Sequence, residues 1–178
     1  MLRWLKTNGC QLSSWTFGNA AENGYLVIME WLLENKCYWD EDTFNAACRH
    51  GSLENMKWML ENKCPWDEYT FHATARHGNL ENMLWLLKNE CPWDEDTFWA
   101  AAEHGSLENV IWLKENGCPW NQSTFSAAAD GRHFEVVNWL TENGCPVPRE
   151  FSALKNMGED PLIQCMQNNG YRVAFIKE

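Results

Sequence analysis

Large apolar residues return along this chain at a fixed interval, and polar residues refill the same places between them each time. Tryptophan stands at 4, 31, 58, 85, 112 and 139 and cysteine at 10, 37, 64, 91, 118 and 145, both with a period of 27 residues. Two further columns keep step: Trp39, Trp66, Trp93 and Trp120, and Phe17, Phe44, Phe71, Phe98 and Phe125. A glycine column (Gly24, Gly51, Gly78, Gly105) breaks only at Arg132. Self-similarity at such a period marks a stacked-repeat architecture, in which a unit cannot bury its apolar face alone and its neighbours complete the core.

Each unit predicts two short helices. In "DEDTFWAAAEHG" Asp94 is placed to cap the first helix, Glu95 and Asp96 sit in the first turn where the helix dipole favours anions, and an alanine run propagates it. Gly105 is expected to end it in a left-handed turn. The second helix, "SLENVIWLKEN", opens at Ser106 and gathers Leu107, Val110, Ile111 and Leu113 around Trp112 before "GC" stops it. Pro119 and its counterparts keep the following loop extended, and nothing in the unit has the alternation of a strand. Alanines at 100–102 and equivalent positions suit close approach of neighbouring first helices, with the larger second helices outside.

The chain is accordingly expected to be a single repeat domain over 1–178: a half repeat at 1–10, five full repeats over 11–145, and a degenerate C-terminal capping repeat and tail over 146–178. That cap would start a helix at Asp160-Pro161 and carry polar substitutions at Gln164 and Gln167. The opening half repeat would leave Trp4 and Leu5 partly uncovered.

The stretch "TFNAACRHGSLENMKWMLENKC" resembles the ankyrin repeat. Phe44 falls on the leucine after that family's Thr-Pro, Asn45 on its histidine, Ala47 and Cys48 on its alanine pair and Gly51 on its glycine. Trp58, Met59 and Leu60 fall on its leucine run, and Cys64 on the alanine after its second glycine. The resemblance implies an all-α, ankyrin-like solenoid of stacked helix pairs with short loops, and it puts the ladder tryptophans, Trp93 among them, in the core, because their columns are ones that the family fills with Leu or Val. The unit here is 27 residues against about 33 in the family. The shortfall lies where ankyrin repeats carry a projecting β-hairpin finger, so the fingers are expected to be reduced or absent. Short "CPWDE" repeats of this kind resemble those of giant DNA viruses of amoebae and algae, which would place the protein in the cytoplasm of a host cell.

Composition narrows the function classes. With 14 Lys+Arg against 25 Asp+Glu the formal charge is −11, which opposes phosphate backbones and anionic lipid, so neither nucleic acid nor a membrane is an expected partner. Hydrophobic residues at 45% and 12 tryptophans argue against disorder, and no apolar run reaches spanning length. Cysteines recurring once per repeat would stand about 8–10 Å apart, beyond disulfide reach. Cys48 and Cys165 likewise read as packing. His50, His77 and His104 precede the helix-ending glycines, where they can satisfy orphan carbonyls. No zinc-ligand spacing, phosphate loop, nucleophile elbow or paired-carboxylate motif occurs, so no metal, cofactor or enzymatic activity is expected.

Positions that vary while the ladders stay fixed are the candidate site. One column of the first helix runs Trp15, Asp42, Tyr69, Asp96, Ser123, the next Gly18, Asn45, His72, Trp99, Ser126, and the last Glu22, Arg49, Arg76, Glu103, Asp130. Spacings of three and four residues put them on one helical face. The resemblance implies that first helices line the binding side. The expected partner-binding residues are Trp15, Glu22, Asn45, Arg49, Tyr69, His72, Arg76, Asp96, Trp99, Glu103 and Asp130, with Lys114 a neutral position on the opposite helix. The leading expectation is a non-enzymatic protein-protein interaction scaffold. The alternative is a structural subunit of a larger assembly whose uncapped N-terminal end stacks on another copy of the chain or on another protein.

Overall fold

Short-range capping defines the helices. The computed structural model describes residues 7–9, 12–50, 52–77, 79–147, 150–154, 163, 164, 167 and 172–176. The chain forms two compact units, Met1–Pro92 and Trp93–Glu178. In the first, α1 (Ser14–Glu22), α2 (Leu26–Glu34), α3 (Glu41–His50), α4 (Leu53–Glu61), α5 (Glu68–His77) and α6 (Leu80–Lys88) follow one another. In the second come α7 (Glu95–His104), α8 (Leu107–Glu115), α9 (Gln122–Asp130) and α10 (Phe134–Glu142), then β1 (Glu150–Leu154) and β2 (Arg172–Ile176).

The expected helix signals operate. Asp94 Oδ1 accepts from the N–H groups of Asp96 (3.0 Å) and Thr97 (3.2 Å), and the Thr97 hydroxyl accepts from the Asp94 N–H, closing a capping box. Gly105 ends α7 at φ +84°, and Ser106 caps α8 through Asn109 N–H. Arg132, where the glycine column breaks, nevertheless keeps a left-handed φ of 59°. At each second-helix end an asparagine adds a bond the sequence reading missed. Asn35, Asn62, Asn89, Asn116 and Asn143 donate Nδ2 to the carbonyl of the ladder tryptophan four residues earlier, at 2.7–2.8 Å.

Within the first unit α1 packs on α3 and α3 on α5; within the second α7 packs on α9, and every first helix carries its own second helix. The repeats thus form an all-α repeat solenoid of helix pairs with short loops. The residues joining repeats, such as 37–40, contain no strand. Phe17, Phe44, Phe71, Phe98 and Phe125 are wholly enclosed, with alanines 21, 47, 101 and 128 and methionines 29, 56, 59 and 83 around them.

Tryptophans do not join that core, contrary to expectation. Trp31, Trp39, Trp58, Trp66, Trp85, Trp93, Trp112, Trp120 and Trp139 are all half-buried. Trp39, Trp66 and Trp120 instead each span a seam between repeats. Trp39 stacks on Phe17 at 4.8 Å and meets the edge of Trp58 at 6.0 Å, and Trp66 relates to Phe44 (5.4 Å) and Trp85 (6.0 Å) in the same way. In the second unit Trp120 touches Phe98 at 5.2 Å and Trp139 at 6.1 Å. An indole covering a seam keeps one side in solvent, which is why burial stops halfway.

The tail departs from a purely helical cap. β1 and β2 pair in parallel, Glu150 opposite Arg172 and Leu154 opposite Ile176. Such pairing requires a crossover connection. Within that connection 163, 164 and 167 are helical, Ile163 buried and Gln164 and Gln167 exposed. Asp160, Pro161, Cys165, Trp4, Leu5 and Cys10 lie outside the described residues.

The residue before each ladder cysteine is left-handed whatever its side chain: Lys36 (φ 57°), Lys63 (65°) and Glu90 (60°) adopt what Gly117 and Gly144 adopt. A Cβ there costs about 1–2 kcal/mol. Lys63→Gly should therefore stabilise the protein by about 1 kcal/mol in urea titration. Phe44→Ala should cost about 3–5 kcal/mol as a buried aromatic deletion. Combined with Trp66→Ala it should show a coupling of about 0.5–1.5 kcal/mol. Strict additivity would mean that the seam contact carries no energy.

Candidate protein-binding surface

Small residues on the first helices (Ala20, Ala21, Ala46, Ala47, Ala101, Ala128) face neighbouring helices and are buried, leaving the variable columns on the remaining side. In the first unit Trp15 is 77% and Tyr69 59% exposed, and Asp42 and Arg49 are exposed. His72 is half-buried and meets Tyr69 edge to face at 5.3 Å; Glu22 on α1 and Arg76 on α5 are half-buried as well. In the second unit Asp96 and Asp130 are exposed and Trp99 and Glu103 half-buried.

One expected site residue belongs elsewhere. Asn45 is only 6% exposed, and its Oδ1 accepts the Thr70 hydroxyl at 2.7 Å. The middle column leans toward the next first helix, so a short side chain there is enclosed; Gly18 of that column is buried as well. His50 and His104 are exposed; His50 Nε2 lies 3.9 Å from Glu22 Oε1 and its ring 5.8 Å from that of His77. A carbonyl contact is made by His133, outside the column of these histidines: its Nε2 lies 2.8 Å from the Glu103 carbonyl oxygen, its ring filling the space beside Gly105 and Gly131.

Adjacent first helices enclose a groove in each unit. Between α1 and α3 a groove of ≈ 350 Å³ has Trp15 and Glu22 on one wall, Asp42 and Arg49 on the other and Gly18 and Ala46 between them. Between α7 and α9 one of ≈ 480 Å³ is lined by Trp99, Glu103, Ser123, Ser126 and Asp130. Wall residues such as Asn19, Thr43, Gln122 and Ala127 escaped the sequence reading, because a groove wall is completed by the following repeat. Lys114 is not a neutral position either: its Nζ lies 3.6 Å from the Trp120 ring centroid. Lys114→Ala should accordingly cost about 0.5–1 kcal/mol of stability.

The thiols are chemically quiet. Cys37, Cys48, Cys64, Cys91, Cys118 and Cys145 are free and buried. The ladder thiols point to the carbonyl of a helix-capping residue 24 positions earlier: Cys37 to Ser13 (3.3 Å), Cys64 to Asp40 (3.6 Å), Cys91 to Asp67 (3.7 Å), Cys118 to Asp94 (3.4 Å) and Cys145 to Asn121 (3.6 Å). Burial pushes Cys48, Cys91 and Cys118 up to about 12 and Cys145 up to about 11, and raises Cys37 and Cys64. Among the described residues no three His, Cys, Asp or Glu side chains gather as a metal would require, and no helix is long and apolar enough to cross a membrane. In comparison with known proteins, no family model and no curated protein matches the chain.

Three outcomes follow from this arrangement. Thiol-directed reagents at neutral pH should label the described cysteines only on unfolding. Because folding raises these thiol pKa values above 9.0, their contribution is fully present below about pH 9 and is lost as pH climbs toward about 12. Urea midpoints measured across that range should fall. At Trp99 the position corresponds to Asn45, and the buried Thr124 hydroxyl, equivalent to Thr70, has no partner. Trp99→Asn should therefore retain about 1 kcal/mol more stability than Trp99→Ala; equal loss would separate the two sites.

Proposed function

We propose that this chain is a non-enzymatic scaffold that binds a protein partner on the outward face of its first helices. What carries the reading is the exposure of Trp15 and Tyr69, large aromatic side chains in columns the fold leaves free, Trp15 on the wall of a groove and Tyr69 against the His72 ring. Interface hot spots draw on such residues, since rigid aromatic area is desolvated with little entropy loss. The resemblance to ankyrin repeats supports the same face. Its short repeat variety points to a viral protein acting on host or viral proteins in the host cytoplasm.

Trp15→Ala and Tyr69→Ala should each weaken partner binding by about 2 kcal/mol, roughly thirtyfold, while the urea midpoint stays within about 0.5 kcal/mol of the parent. Val27→Ala, an exposed position on a second helix, is the control and should change neither. Binding lost with Val27→Ala and kept with Trp15→Ala and Tyr69→Ala would place the interface on the other helices. Calorimetric titration of a partner segment selected by peptide display measures all three variants.

A further inference from the structure

The two units carry different chemistry on this face. In the first, the outer columns hold Arg49 and Arg76 along with Glu22 and Asp42. In the second, the variable positions are an indole, two serines and three acids: Trp99, Ser123, Ser126, Asp96, Glu103 and Asp130. The groove between α7 and α9 brings Trp99, Glu103 and Asp130 to its lining, and no Lys, Arg or His is among its walls. Glu103 and Asp130 stand at the last turns of α7 and α9, where the helix dipole adds partial negative charge. His133, the residue before α10, turns its Nε2 to the Glu103 backbone carbonyl.

We propose that the α7–α9 groove seats a lysine or arginine side chain of an extended, basic segment of the partner protein, the cation lying on the Trp99 indole with its charge met by Asp130. This rests on the reading of the first-helix face as a binding surface and specifies the chemistry of what binds its second unit. Charge complementarity selects the occupant: an acidic groove in a chain of net charge −11 attracts basic segments and repels acidic ones. An indole wall adds the attraction of a cation for a π face. The same unit already holds one such pair, the Lys114 ammonium 3.6 Å from the centroid of Trp120. A groove of ≈ 480 Å³ has room for a long basic side chain, and the Ser123 and Ser126 hydroxyls, which donate to Asn121 Oδ1 (2.6 Å) and the Gln122 carbonyl (3.3 Å), keep lone pairs to accept from its backbone N–H groups.

The test uses a fluorescein-labelled peptide of alternating lysine and glycine and its glutamate counterpart, titrated with the full chain and read by anisotropy. The lysine peptide should bind, more weakly as salt rises. Asp130→Asn and Trp99→Asn should each weaken it about tenfold, whereas Glu108→Gln on α8 should leave it unchanged. Equal binding of the glutamate peptide, or a loss with Glu108→Gln as large as with Asp130→Asn, overturns the inference, because attraction would then be diffuse or absent. A neutral partner segment that binds through Trp15 and Tyr69 while the lysine peptide does not bind also overturns it, yet leaves the broader reading standing. Binding of every ligand unaffected by Trp15→Ala, Tyr69→Ala and Trp99→Asn overturns both.

Discussion

The loop tryptophan is the joint on which the repeats depend. A helix pair of this size has too little apolar area to stand alone, so stability must come from what crosses between neighbours. Trp39 shows how that is done: its ring lies on Phe17 of one repeat and against Trp58 of the next, so one side chain from a non-helical segment ties two helix pairs. Trp66 and Trp120 repeat the contact with Phe44 and Trp85 and with Phe98 and Trp139. The ladder cysteine closes the repeat itself, its thiol directed at the carbonyl of the residue that caps the same repeat's first helix. A loop fixed at both ends leaves no room for a projecting hairpin.

This division of labour explains why the first helices are free to vary on one side. Their alanines and phenylalanines carry the stacking, their threonines close capping boxes, and the second helices and loop indoles hold the seam. Little of the fold depends on the side chain at Trp15, Tyr69 or Asp130. Asn45 marks the limit of that freedom, since its position is close enough to the neighbouring helix to be drawn into a buried bond with Thr70. A surface built on stacked helices therefore has outer columns open to any chemistry and a middle column whose use depends on side-chain length. Trp99 is long enough to reach the groove from that middle column.

Helix boundaries, caps and the repeat period were legible in the sequence alone. Asp94, Ser106 and Gly105 act through hydrogen bonds and backbone conformations within four residues of themselves, so residue type and spacing determine them. The outer columns of the candidate face were legible for the same reason, helical spacing being a local property. Only the tertiary structure decided the rest. That the tryptophans stop half-buried, that Asn45 goes inside, that His133 meets the Glu103 carbonyl, and that the tail pairs two parallel strands all depend on what a residue some 20 to 30 positions away places opposite. A periodic sequence states that repeats touch. Which atoms meet across the seam follows from the distance and tilt of the stacked helices, and no single repeat encodes those.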